Sequence, residues 1–105
     1  MIVTTTNELS GYKIVEYKGI VRGLVVRATS VVAGVTGSLK SIFGGNIHEY
    51  EKVCEMARDE AFRRMVEEAE KLGAHAVVGM RYDATEFLEG STEVLAYGTA
   101  VKIAK

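Results

Sequence analysis

A single cysteine, Cys54, is the whole thiol content of this chain of 105 residues. That excludes an internal disulfide and any zinc site built on several cysteines. No apolar run reaches the length of about 18 residues that a membrane-spanning helix needs. The opening stretch MIVTTTNELS lacks both a basic n-region and an apolar h-region, so no secretion signal is expected and the cytoplasm is the expected compartment. Histidine is scarce, with two residues, and the formal net charge is only −1, which gives no reason to expect a nucleic-acid partner. What is present is ordinary globular material, 48% hydrophobic and 26% charged. It suits one domain over 1–105, able to bury roughly 65% of its unfolded surface. The charge is unevenly spread. Residues 1–40 carry five basic groups against two acids, and residues 49–71 carry eight acids against five basic groups. Mixed surface charge of this kind usually marks solvated faces, and between copies of the chain it would favour orientation.

The clearest element is a helix from about Ile47 to Leu72. Tyr50, Cys54, Ala57, Ala61, Met65, Ala69 and Leu72 follow one another in steps of three and four, which places them on one stripe. Val53, Phe62 and Val66 widen that stripe to suit a sheet. Asn46 is a candidate N-cap with Glu49 three residues on. Asp59–Arg63, Glu60–Arg64 and Glu67–Lys71 are acid-first i,i+4 pairs, and Gly73 can take the left-handed position after the helix.

The flanks read as strands. Ala76–Tyr82 is short, apolar and β-leaning. Glu93–Ile103 alternates, with Leu95, Tyr97, Thr99, Val101 and Ile103 on one face and Val94, Ala96, Gly98 and Ala100 on the other. The face of small residues invites close approach by the helix. Ala84–Ser91 is expected to be a hairpin loop. Upstream, Ile2–Thr5, Tyr12–Tyr17 and Gly19–Thr29 are three further strand candidates, with Lys18-Gly19 as a weak turn signal. Glycines punctuate residues 30–46, and Ser38–Phe43 suits one or two helical turns.

This order predicts an α+β domain in which one long helix covers one face of a mainly antiparallel, five-stranded sheet. The other face would carry uncovered apolar residues, a liability unless a second subunit covers it, so homo-oligomerisation is expected on physical grounds.

Candidate chemistry is sparse. Gly34 to Lys40 resembles a phosphate loop only superficially, because two residues rather than four separate Gly34 from Gly37 and Lys40 comes late. Gly44-Gly45-Asn46 could offer backbone amides to an anion, although an ordinary helix start needs the same residues. The candidate metal ligands are His48, His75 and Cys54. His48, Glu51 and Glu55 share one helix face. Cys54 falls on the apolar stripe and is expected to be buried as a small hydrophobe, with its thiolate suppressed. His75 follows the helix end and suits an interaction with that terminus. A symmetric ring could gather one histidine from each subunit. No nucleophile stands beside a base, so no catalytic residues are assigned and no enzyme is expected. Tyr82-Asp83 is expected to close a strand, with Tyr82 anchored in the core.

Thr4-Thr5-Thr6, Gly11-Tyr12, Gly19-Ile20-Val21, Gly44-Gly45, Tyr50, Ala57-Arg58, Ala61, Leu72-Gly73-Ala74-His75-Ala76-Val77-Val78-Gly79, Tyr82-Asp83 and Gly98-Thr99-Ala100-Val101 together resemble the YbjQ-like family of small bacterial and archaeal proteins, commonly labelled heavy-metal-binding. The resemblance spans nearly the whole chain. It implies a dodecin-like α+β subunit assembled as a pentameric ring, with rings that can pair into decamers. It brings no biochemical activity with it. Soft-metal chemistry is most naturally done by paired thiolates, and Cys54 stands alone. The function expected is a non-enzymatic, homopentameric binding or scaffolding protein without a cofactor, whose partner is itself. The alternative is a heavy-metal-binding protein with a divalent-metal site at a subunit interface.

Overall fold

The computed structural model describes residues 1–28, 48–88 and 91–105, with side chains described for all of these except 28, 48–50, 87 and 88. The elements run β1 (Ile2–Val3), β2 (Lys13–Ala28), α1 (His48–Lys71), β3 (Ala76–Leu88) and β4 (Ser91–Ala104). The four strands form one sheet in the order β1-β3-β4-β2. Among the described residues the β1–β3 pair is parallel, while β2–β4 and β3–β4 are antiparallel. The expected α+β class and mainly antiparallel sheet are found. The expected candidate cap at Asn46, the turns over 38–43 and the glycine motifs between 34 and 45 lie outside the described residues.

The helix stops within one residue of its predicted end because its stop signal is local. Gly73 takes φ +76°. Its amide donates to Glu70 O at 3.0 Å, and the Ala74 amide reaches back to Ala69 O at 3.1 Å. This pair of bonds is the Schellman arrangement, which satisfies carbonyls that the end of a helix would leave open. The buried stripe is Ala57, Ala61, Met65 and Ala69, packed with Val21, Val25, Val77, Met80, Val94, Ala96 and Ala100. The small face of β4 thus meets the small face of α1, as its alternation predicts. At Gly23 the approach is closest. A Cβ built there would lie 1.9 Å from Ala61 O and 2.5 Å from Met65 N. The strand therefore touches the helix backbone itself.

On the solvent side of α1, Glu60 pairs with Arg64 at 3.1 Å and also with Arg63, which reaches Glu67 as well. Arg63 thus chooses Glu60 and Glu67 over the expected Asp59. Hydrogen bonding from Arg63, aided by Arg64, holds the Glu60 carboxyl at about 2, below its ordinary 4.5. A lowered carboxylate stabilises the fold fully above pH 4.5, and that contribution disappears as pH falls through about 2. Acid unfolding of Glu60→Gln, followed by circular dichroism, is therefore expected to show a shallower loss of stability than the parent over this window. Equal slopes would contradict the ion-pair assignment.

Two expectations about the strands are corrected. Tyr12–Tyr17 and Gly19–Thr29 are not separate strands. They are one, β2, paired with β4 from Lys13↔Ala104 to Ala28↔Ser91, so the sheet has four strands among the described residues. Register shifts between Ile14 and Glu16 and between Tyr17 and Gly19 absorb Val15 and Lys18 as extra residues. Lys18-Gly19 is thus a bulge within a strand, with Gly19 at φ +115°, and not a turn. Likewise the described part of the expected loop, residues 84–88 and Ser91, is strand. Pairing continues through Glu86↔Thr92 to Leu88↔Ser91.

A third bulge sits in β3, where Gly79 and Met80 together face Gly98. Bulging turns the Met80 amide away from β4 to the side the Gly79 amide already faces, and the N-terminal segment satisfies both. The Gly79 amide donates to Thr6 O at 2.8 Å and the Met80 amide to Thr4 O at 3.0 Å. Arg81 Nη1 adds a bond to Thr5 O at 2.9 Å. Past this point Leu9 packs with Ile14 and Ile103 against Ala76, Val78 and Val101, forming a second, smaller core on the sheet face opposite α1.

Candidate functional surface and the metal-ligand candidates

That second core covers only one end of the outer sheet face. Register places Leu24 opposite Leu95, Arg22 opposite Tyr97, Ile20 opposite Thr99 and Val26 opposite Glu93. Because side chains alternate, these residues share the face turned away from α1, while Val21, Gly23 and Val25 face the helix. No described element lies over them. Ile20 is 75% exposed, Val26 53% and Leu24 44%, with Tyr97 also open. Arg22 and Arg27 supply positive charge along the same strand. The result is an apolar strip on a long edge strand, the kind of surface that marks an interaction site. The free edge is closed at one point, where Arg64 Nη1 donates to Leu24 O at 2.6 Å.

The metal candidates are not brought together. Cys54 is exposed, contrary to the expected burial. Its angular position on the stripe is as read, since Ala57, Ala61, Met65 and Ala69 are all buried. The error is axial: the covered part of the helix begins at Ala57, one turn further on. His75 stands past the other end of α1. The 17 residue steps from Cys54 to Lys71 span about 26 Å of helix, so the two cannot share an ion within a protomer. The His75 ring is already engaged, its Nδ1 accepting the Ile103 amide at 3.2 Å. His48 opens α1, and its side chain lies outside those described. Among the described residues no three His, Cys, Asp or Glu side chains gather as a metal site. The donors described in one protomer therefore do not fit a heavy-metal ion.

Tyr82-Asp83 does not close a strand; both residues lie inside β3, paired with Ala96 and Leu95. Tyr82 is on the helix side but not anchored in the core. It remains 40% exposed, with the Arg58 guanidinium 5.5 Å from its ring centre. Burial, together with the charge of Asp59, pushes its phenol upward. Asp83 Oδ1 accepts the Ala84 amide at 2.9 Å. The part played by Thr4–Thr6, whose carbonyls satisfy the amides of the β3 bulge, is what sequence reasoning did not assign. Its signal was the run of three threonines, whose hydroxyls bond locally, Thr6 Oγ1 donating to Glu8 O at 2.6 Å. No described helix is long and apolar enough to cross a membrane.

Comparison with known proteins agrees with this architecture. A solved structure from Pediococcus pentosaceus, a protein of unknown function in the DUF74 family, superimposes with a TM-score of 0.65 at 19% identity, covering 99% of this chain and 98% of that one. At that identity it speaks for the fold alone. A UPF0145 protein of Burkholderia thailandensis is 52% identical over 101 residues, 96% of this chain and 91% of its own length. A UPF0145 protein of Chromobacterium violaceum is 54% identical over 102 residues, 97% of this chain and 87% of its own length. Neither name is that of an enzyme. The family model that matches residues 1–104 is the YbjQ one, described as "Putative heavy-metal-binding". On a match of that extent, the chain belongs to the YbjQ-like, UPF0145 family.

Proposed function

We propose that the protein is the subunit of a non-enzymatic homo-oligomer, a dodecin-like pentameric ring that binds or scaffolds a ligand held between its subunits. The observation that carries this reading is the open strip of Ile20, Leu24 and Val26 on the outer sheet face. An apolar strip on an edge strand is costly to leave in water and is relieved when another copy covers it. The family resemblance supplies the number of copies, and pairing of two rings would give a decamer.

Light scattering on protein without a purification tag tests it. The expected mass is near five times 11.4 kDa, or ten times if rings pair. Ile20→Asp combined with Val26→Asp is expected to lower it to that of one chain. Both residues are largely exposed in the protomer, so the fold itself should survive, as circular dichroism would check. A parent protein that is monomeric across working concentrations overturns the proposal. A double variant that keeps the full mass moves the interface elsewhere. Elemental analysis of the same sample addresses the heavy-metal alternative. Stoichiometric zinc, copper or nickel, lost in His48→Ala or Cys54→Ala, would favour a site assembled from several copies.

A further inference from the structure

His75 stands where the β3–β4 ladder runs out. Its amide donates to Val101 O at 2.9 Å, and its carbonyl accepts the Ile2 amide at 3.4 Å. Strand pairing begins one residue later, at Ala76↔Val101, so β4 extends past the start of β3. Ile103, two residues after Val101, directs its amide toward the same side and has no β3 residue opposite it. The imidazole takes the place of that residue, with Nδ1 3.2 Å from Ile103 N. From this geometry we infer that the His75 ring serves as a substitute ladder residue, held in the Nε2–H tautomer, and is not a metal ligand despite the family's description.

The chemistry follows from counting one proton. A neutral imidazole carries a hydrogen on one nitrogen and a lone pair on the other. Nδ1 accepts from an amide, so the hydrogen sits on Nε2 and no lone pair remains there for an ion. For Nε2 to coordinate, its proton must leave or move to Nδ1. If it moves, an N–H then faces the Ile103 N–H and the bond is lost. Coordination through Nδ1 displaces the same amide directly. Either of these routes opens the end of the ladder and breaks the bond from the Ile103 amide to the ring; the bond would survive only in an imidazolate, which requires removing the second ring proton.

Nitrogen-resolved NMR of the assembled, tag-free protein tests the inference. The ring is expected to show the Nε2–H tautomer, and one equivalent of zinc is expected to leave its nitrogen shifts unchanged. Asparagine offers a side-chain oxygen to Ile103 but no imidazole. His75→Asn is therefore expected to keep the hydrogen-exchange protection of the Ile103 amide within about threefold of the parent, whereas His75→Ala lowers it by roughly tenfold. A ring in the Nδ1–H tautomer overturns the inference, as does a zinc-dependent shift of the His75 nitrogens or equal protection of Ile103 in the two variants. If His75→Ala does not fold, the tautomer and the zinc titration of the parent decide alone.

Discussion

Gly23→Ala is expected to be among the most damaging single-methyl changes in this protein, costing about 3 kcal/mol or more. The added Cβ would sit 1.9 Å from Ala61 O, 2.5 Å from Met65 N and 2.9 Å from Ala61 C, all of them backbone atoms. A side chain can change rotamer to admit a methyl group; a hydrogen-bonded helix backbone moves only as a unit. The helix must therefore lift from β2, and its contacts at Val21 and Val25 weaken together. For a domain of about 100 residues such a cost corresponds to a fall in melting temperature of roughly 12 °C or more. Thermal unfolding by circular dichroism checks the size of the effect, and Ala61→Gly in the same chain checks the cause. Trimming the Ala61 side chain leaves its carbonyl in place, so no rescue is expected. A Gly23→Ala protein that melts within about 3 °C of the parent would mean that helix and strand are further apart than described.

Met65→Ala is expected to cost about 2–5 kcal/mol, by loss of apolar burial and opening of a cavity. Among the described residues Met65 heads the fully buried side chains by volume, in a core whose other buried members, Met80 apart, are alanines and valines. Small neighbours have few atoms to move into the space. Met65→Leu nearly conserves volume and should cost less than about 1.5 kcal/mol. Denaturant unfolding of both variants checks the contrast. Equal losses would point to a role for Met65 other than filling space.

The parts of the fold that sequence reasoning recovered are those decided by neighbours a few residues away. The helix ends where Gly73 makes its turn, and the alternation of Val94, Ala96, Gly98 and Ala100 names the face that meets α1. The parts it missed depend on a distant partner. A glycine after a lysine marks a turn or a bulge equally well, and only the continuous pairing with β4 settles Lys18-Gly19 as a bulge. Ala84-Thr85-Glu86 reads as the start of a loop because charged groups and Gly90 lie in the stretch, yet the hairpin simply carries its ladder out into solvent. Cys54 is the sharpest example. Helical periodicity gives direction around an axis, but how far along that axis the covering sheet reaches is not written in the helix. The candidate site was less legible still. The uncovered outer face is legible from β4, whereas its largely exposed members Ile20 and Val26 lie on β2, whose continuity depends on the distant pairing with β4. Nothing in the sequence distinguishes a histidine that caps a ladder from one that binds an ion, since the discriminating bond comes from Ile103, 28 residues away.

The parallel pairing of β1 with β3 bears on how the chain comes to be folded at all. Ile2 lies opposite Ala76, and the amides of Gly79 and Met80 depend on carbonyls at Thr6 and Thr4. Such contacts close a loop of more than seventy residues, whereas β3 and β4 meet as neighbours in sequence. Local pairings form first because they sacrifice less chain freedom. During synthesis, the β-leaning stretch over residues 2–6 therefore waits unpaired while the rest is made. The bulge at Gly79 stays unsealed until that stretch returns, so docking of the N-terminal segment, like the long-range pairing of β2 with β4, is expected among the late steps of folding, and cellular helpers that hold nascent chains have their longest opportunity before them.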